Sequence, residues 1–495
     1  MGGTAARWGK AIVASGGAAI ALAVMLPPVA YAGEAPVFTV NTTADGHDFN
    51  TADPFCDSSP AVAGSQCTLR AGVEQTNAQP GPDRLVVPRG TYGLDPALSN
   101  LTVADQLVVD GAKASNTIVR AEGPGIRLFA VNPGARFELQ DTTVRDGVLG
   151  DDGGGILNGG TLVLLRSAVR NNQAFGSAGG GIYSGDGASL TIVDSVIGAQ
   201  NPAAGNVAAT EGGGIVARGT LTIRDSTLAG NTATAAGAGL VARDATAVVI
   251  NTTISGNRSV QDDGLNSPVF IQDAFAQLRH VTVAGNPQQD GAAFRVFTSS
   301  GLETATLVLR ASVTDSGAVP ACMATGPGIE IVESTGFNVL DDAACGLAAA
   351  GDLVAGPRLR PLRDNGGPTL TRALRRSSPA VNRVAKGACP GPGTDQRGVK
   401  RAQGKRCDSG AYELARCAGV IINRVGTSGT DRLRGTAGRD GFLLGAGNDR
   451  AQGKGGNDAL CGEGGNDKLD GGPGGRDVCL GGPGKDKLRR CERGR

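Results

Sequence analysis

Seven short runs rich in β-branched residues recur through the middle of the chain, and their spacing leaves few folds open. They close on Val144, Val169, Ile197, Leu228, Ile254, Val283 and Val313, giving steps of 25, 28, 31, 26, 29 and 30 residues. Such runs read as strands. A glycine marker precedes most of them: Gly153-Gly154-Gly155-Ile156, Gly179-Gly180-Gly181-Ile182, Gly212-Gly213-Gly214-Ile215 and Gly237-Ala238-Gly239-Leu240. Asn or Gly follows three residues after most, at Gly147, Asn172, Asn231, Asn257 and Asn286. A unit of this length, with two short strands and turns, is one coil of a parallel β-helix. Equivalent residues then stack about 4.8 Å apart, aliphatic ones inside, with the turn asparagines free to form an amide ladder. A propeller would need longer four-strand units and a leucine-rich repeat would need helices; neither pattern is present. Weaker coils start near Leu85-Val86-Val87 and continue through Leu107-Val108-Val109. The raw ends of such a stack require caps. Thr68 to Gln75, with Thr68 as N-cap, reads as a short amphipathic helix able to cover the first coil.

Composition agrees with a repetitive, turn-rich fold: 80 of 495 residues are glycine and 3% are aromatic. A net charge of +1 gives no reason to expect nucleic acid as a partner. Arg7 and Lys10, the small and apolar stretch Ala11 to Leu26, and Ala30-Tyr31-Ala32 predict an export signal over residues 1–32. No other segment is long and apolar enough to span a bilayer, so the expectation is a secreted chain, extracellular or associated with the cell surface, with no transmembrane segment after signal cleavage. All ten cysteines lie after the expected cut, and an even count in an exported chain reads as disulfides. Pairing of neighbours gives Cys56–Cys67, Cys322–Cys345, Cys389–Cys407 and Cys479–Cys491, which leaves Cys417 with Cys461. A zinc site is disfavoured, because no CxxC exists and the chain has two histidines.

The last stretch carries a second period. Asp431, Asp440, Asp449, Asp458, Asp467, Asp477 and Asp486 recur every nine residues, with one step of ten between Asp467 and Asp477. Glycines stand just ahead of each. A regular carboxylate ladder on a glycine-rich backbone is a way to hold Ca2+. Without the ion, stacked carboxylates repel and the tail is too polar to bury a core, so calcium binding should drive its folding. Residues 417–495 hold fourteen Arg and Lys against ten Asp and Glu, a net +4 before any ion binds. Acidic polysaccharide or another cell-surface glycan is therefore a candidate partner, although a solvated surface explains the same charge.

Several motifs carry family resemblances. Cys67-Thr68-Leu69-Arg70-Ala71, Asn77-Ala78 and the coils that follow resemble secreted bacterial right-handed β-helix proteins of pectate-lyase-like fold. Leu362 to Thr369 (LRDNGGPT), Ser378-Pro379-Ala380, Thr394 to Val399 (TDQRGV) and Cys407 to Glu413 (CDSGAYE) look like the choice-of-anchor family, type Q. Asn382 departs from it, standing where such sequences often show Asp. The match covers roughly residues 37–414 and implies a fold more than an activity. The tail resembles RTX, or haemolysin-type, calcium-binding repeats. That resemblance implies glycine turns offering carbonyls and an Asp carboxylate to calcium, then a short strand with one inward residue: Leu433, Phe442, Ala451, Leu460, Leu469, Cys479 and Leu488. It also implies Asp431, Asp449 and Asp467 on one side and Asp440 and Asp458 on the other. The ten-residue step before Asp477 and Leu444 in a usual glycine position depart from the pattern.

Together these readings give an all-β chain: a right-handed parallel β-helix with terminal caps, followed by a calcium-binding β-roll. The expected divisions are a signal peptide at 1–32, an N-terminal cap with a short helix at 33–80, the β-helix at 81–350, its C-terminal cap at 351–416 and the roll at 417–495. Catalytic machinery is hard to find. Of the two histidines, His47 lies in a polar loop and His280 at a strand start, where an outward residue is expected. Gly150-Asp151-Asp152 superficially resembles a polygalacturonase carboxylate pair, but the companion motifs of that family are missing. Asp262-Asp263 and Asp341-Asp342 read equally as acidic corners. Arg145, Arg166, Arg170, Arg224 and Arg279 sit near strands and keep a lyase base open as an alternative. The dense polar set Asp364, Asn365, Asp395, Arg397, Asp408 and Glu413 reads as a cap, with Arg397 pairing Asp408 or Glu413 to tie the last coil shut. The preferred reading is an exported, non-catalytic, adhesin-like or structural protein. The alternative is a lyase or glycoside hydrolase of acidic polysaccharide.

Overall fold

The computed structural model describes residues 36–261, 266–287, 291–389 and 393–494. The expected export signal and Asp262-Asp263 lie outside the described residues. Two parallel sheets of eleven strands and one of nine run along a stack of coils, and five two-residue strands pair at one corner. Each strand pairs with its equivalent in the coils before and after: Thr161–Leu165 lies between Arg136–Gln140 and Ser189–Val193. The weaker early coils are real, with Pro82–Val87 parallel to Gln106–Gly111. This is the expected all-β, right-handed parallel β-helix.

Alternation of side chains across a strand puts one column of residues inside. In the first sheet Leu139, Leu164, Ile192, Ile223, Val249 and Leu278 stack in register, all 0% exposed. Val144, Val169, Ile197, Leu228 and Ile254 do the same in the second. Fully burying one such side chain contributes about 1.5–3 kcal/mol, so repetition of the columns carries the fold.

The corner between these two sheets repeats a left-handed residue in seven successive coils: Asp141, Arg166, Asp194, Asp225, Asn251, His280 and Ala311, with φ from 46° to 54°. Asp and Asn accept that conformation locally; the others are held there by the coil. His280 is fully buried at this corner, which corrects the expectation of an outward strand residue. A second corner carries the amide ladder. Nδ2 of Asn172 donates to Oδ1 of Asn206 at 3.0 Å, Asn206 to Asn231 at 2.9 Å, Asn231 to Asn257 at 2.9 Å and Asn257 to Asn286 at 3.1 Å. Asn206 escapes the sequence spacing because the corner before it is lengthened by an insertion that holds the 3-10 turn Pro202–Ala204.

Helix α1 (Leu69–Ala78) begins at Thr68, whose hydroxyl accepts from the Ala71 amide at 3.0 Å. It packs over the first coils; a Cβ on Gly72 would lie 2.6 Å from Leu85. Buried Arg70 joins it to Asp45 at 2.8 and 2.9 Å. All five expected disulfides are present: Cys56–Cys67, Cys322–Cys345, Cys389–Cys407, Cys417–Cys461 and Cys479–Cys491. Five disulfides suit a chain that matures in an oxidising, extracellular compartment. Among the described residues no helix is long and apolar enough to cross a membrane.

The segment after the last coils lies along the flank of the second sheet rather than only over its end. Thr369 Oγ1 donates to the Asp225 carbonyl at 3.0 Å, Thr253 Oγ1 to Gln396 Oε1 at 2.6 Å, and the Ala411 amide to Thr282 Oγ1 at 3.0 Å, so one segment spans several coils. Arg397 does not pair with the Asp408 or Glu413 carboxylates. Its Nε and Nη2 donate to Asp395 Oδ2 at 3.0 and 2.8 Å, Nη2 also reaches the Glu413 carbonyl at 2.7 Å, and its guanidinium lies 3.7 Å from the Tyr412 ring centre. Asp408 and Glu413 instead accept backbone amides of Asn382, Leu414 and Gln403. The sequence spacing placed these residues together but could not choose among carboxylates only a few residues apart.

Alternate short strands of the tail form two parallel sheets. Arg432–Arg434, Arg450–Gln452, Lys468–Asp470 and Lys487–Arg489 make one; Arg424–Val425, Gly441–Leu443, Ala459–Cys461, Val478–Leu480 and Arg493–Gly494 make the other. Between them Phe442, Leu444, Ala451, Leu460, Leu469 and Cys479 form a thin core, with Leu433 and Leu488 partly buried at its ends. Leu444, the residue in a glycine position, adds its side chain to that core.

Candidate metal centre

The seven aspartates line the two edges of this roll, one after each glycine turn. On one edge the Asp431 amide donates to Asp449 Oδ1 at 2.8 Å, Asp449 to Asp467 at 2.9 Å and Asp467 to Asp486 at 2.9 Å. On the other, Asp440 donates to Asp458 and Asp458 to Asp477, each at 2.8 Å. The sides are those expected, and Asp477 and Asp486 extend them in register: the ten-residue step is absorbed in the turn, lengthening both final rungs from 18 to 19 residues. Asn423 and Glu492 close one edge. Asn423 Nδ2 donates to Asp440 Oδ1 at 2.9 Å, and the Asp477 amide donates to Glu492. Neither belongs to the Asp period, so the period could not reveal them.

The second carboxylate oxygens divide the ladder. In the first two turns a threonine closes them: Asp431 Oδ2 accepts the amide and hydroxyl of Thr427 at 2.6 and 2.9 Å, and Asp440 Oδ2 those of Thr436 at the same distances. The later turns have no threonine there. Oδ2 of Asp449, Asp458, Asp467 and Asp477 is buried with no hydrogen-bond partner. A buried acceptor left unmade costs about 1–3 kcal/mol, more when charged. These oxygens lie against the glycine turns: a Cβ on Gly453, Gly462 or Gly471 would sit 2.3, 2.2 or 2.7 Å from Oδ2 of Asp458, Asp467 or Asp477. Burial, reinforced by Asp477 and Asp440, pushes Asp458 up to about 6. Burial also raises Asp449 and Asp467, with neighbouring aspartates adding to it.

The donor set is all oxygen. Among the described residues no three His, Cys, Asp or Glu side chains converge as a metal group, so an ion here would take one carboxylate with backbone oxygens. Hard cations accept such sets, and glycine turns expose the carbonyls that supply the rest.

Most of the other candidates hold local structure. Asp151 pairs with Arg127 at 3.4 Å, and Asp152 accepts from Ser177 and from the Ala178 amide. Asp341 holds the Ser316 and Gly317 amides at 2.8 and 3.0 Å, and Asp342 the Ala321 amide at 2.8 Å. Arg145, Arg166 and Arg224 pair with Asp146, Asp141 and Asp225 at 3.4, 2.6 and 3.2 Å. Arg170 and Arg279 are lowered by burial and by neighbouring arginines. His47 bonds Glu74, on the N-terminal helix. One cluster was not read from the sequence: in the turn leading into the third sheet, Glu211 accepts from Arg243 at 2.6 Å and is raised by burial, with Asp152 adding to the shift. Tyr183 is near enough to feel both acids.

No family model and no curated protein matches the chain. Among solved structures it is similar to the catalytic domain of a GH87 alpha-1,3-glucanase in complex with nigerose, at 11% identity over 94% of this chain and 70% of that one, with a TM-score of 0.25. It is also similar to a mutant of the PL6 family alginate lyase AlyGC, at 9% identity over 85% of this chain and 75% of that one, with a TM-score of 0.27. At these scores the likeness carries no argument about chemistry, and the fold stands on the strand pairing.

Proposed function

We propose that the chain is an exported protein whose C-terminal roll folds on calcium and whose β-helix serves outside the cell or at its surface as an adhesin-like or structural body. The observation that carries this reading is the set of buried, unpartnered oxygens on Asp449, Asp458, Asp467 and Asp477. The RTX and choice-of-anchor type Q resemblances support it. Calcium supplies the positive charge these carboxylates need; Asp431, Asp440 and Asp486 complete the ladder around them. Titration calorimetry of the full chain with calcium tests the reading, with far-ultraviolet circular dichroism in parallel. Heat release and a gain of β signal are expected at or below millimolar calcium; neither would occur if the roll is metal-independent.

A second reading, action on acidic polysaccharide, is favoured by one observation: the Glu211, Asp152 and Tyr183 cluster, with a carboxyl raised as a general acid requires. Unsaturated or reducing products from polyuronate, lost in E211Q, would establish it. Their absence leaves the non-catalytic reading.

A further inference from the structure

The two sheets of the roll differ in one position, the residue after each aspartate. On the sheet that packs toward Ala415, Cys417 and Val420 it is Gly441, Ala459 and Val478. On the opposite sheet it is Arg432, Arg450, Lys468 and Lys487, paired in register strand to strand and all exposed. Like charges directly opposite one another on a sheet are destabilising. Among the described residues none of the four side chains is in an ion pair or hydrogen bond. Two positions along each strand stands a second column, Arg434, Gln452, Asp470 and Arg489, whose one acid is held by Arg490. Between the columns, over the backbone of Ala451 and Leu469, lies a depression of about 260 Å³ lined by Arg450, Lys468 and Lys487, with Arg432 continuing the column one strand beyond it. It runs across the strands, so its charges repeat about every 4.8 Å along a straight line.

We infer that this groove binds a linear acidic polysaccharide, with one anionic group of the polymer meeting each cation of the Arg432, Arg450, Lys468, Lys487 column. A straight row with one charge per strand matches an extended polymer bearing one anion per monomer. Single-stranded nucleic acid is normally held by aromatic stacking as well as charge, and this groove has a backbone floor and no aromatic residue. The inference rests on the roll being folded as proposed above, and it assigns the tail a ligand besides calcium.

Fluorescence anisotropy of the full chain with labelled oligogalacturonate tests it. Sulfated dextran oligomers, oligo-dT and neutral dextran serve as the other arms, all at one fixed calcium concentration that saturates the circular dichroism change. The unsubstituted chain should bind the carboxylated or the sulfated oligomer, ignore neutral dextran, and lose about tenfold or more in affinity between 50 and 200 mM salt. R450Q/K468Q should weaken binding about tenfold, R450K/K468R should keep it within about twofold, and K113Q/K386Q, which removes the same charge elsewhere, should leave it unchanged. Equal loss in K113Q/K386Q, no loss in R450Q/K468Q, or tighter binding of oligo-dT would overturn the inference. Circular dichroism with and without calcium separates the two claims. Column-dependent binding with no calcium response sinks the calcium reading alone; a calcium response with column-independent binding sinks this one alone.

Discussion

At the scale of the residue, the aspartates are not equivalent, although their spacing presents them as one series. Threonine hydroxyls already satisfy Asp431 and Asp440, whereas Asp449, Asp458, Asp467 and Asp477 each bury an oxygen without a partner. Calcium demand should follow that division. D458N is expected to raise the calcium concentration for half-maximal folding by about tenfold or more, since ligand charge sets affinity at such sites, while D431N shifts it by less. A circular dichroism titration with calcium checks both; equal shifts would contradict the division. The buried amide ladder gives a second residue-scale expectation. Asn231 accepts from and donates to its neighbours, so N231A strands groups on Asn206 and Asn257 and should cost about 1–3 kcal/mol. Denaturant unfolding of the variant at saturating calcium measures it.

At the scale of the element, what could be read in advance was whatever repeats. The coils, their inward columns and the alternation of the roll follow from periods of 25 to 31 and of nine residues, because stacking turns each period into a column. Insertions break that inference. Asn206 stands nine residues after Ile197 where Asn172 stands three after Val169, so it drops out of the spacing although it forms a central rung. The flanking segment 357–415 has no period at all, and its place against Thr227, Thr253 and Thr282 depends on long-range contacts that no local spacing encodes. Partner choice among Asp395, Asp408 and Glu413 was hidden for the same reason. The two kinds of element should also differ in stability. The coils bury long aliphatic columns; the roll has a thin core and a carboxylate ladder. Chelation should therefore open the roll while leaving the coils intact. Limited trypsin digestion is expected to cut within residues 424–490 after calcium removal and to spare 82–340, with protection restored by calcium. Cleavage of both regions at the same rate would show that they unfold together.

At the scale of the whole molecule, the flanking segment joins coils to roll, and its contact with the coils is built around acids held out of water. Asp225 is pushed up to about 7, chiefly by burial, with Asp194 and Asp395 adding to it against the Asn251 hydrogen bond and Arg224. Burial and Asp408 raise Glu413 in the same segment. A carboxyl whose folded pKa lies above its unfolded value favours the folded state fully below the unfolded value, near 4, and this contribution is lost as pH rises through the folded one. The docked segment should therefore weaken between about pH 4 and 7, opposite in sign to acids held by salt bridges. Thr369 on the Asp225 carbonyl and Asn251 on its side chain place the effect at the junction itself. With calcium held saturating, so that the aspartate ladder does not contribute, thermal melting should fall over that window in the unsubstituted chain. D225N keeps the shape and the acceptor for Asn251 while removing the titration, so its fall should be shallower. Identical slopes in the two proteins would mean that the junction does not sense pH through Asp225.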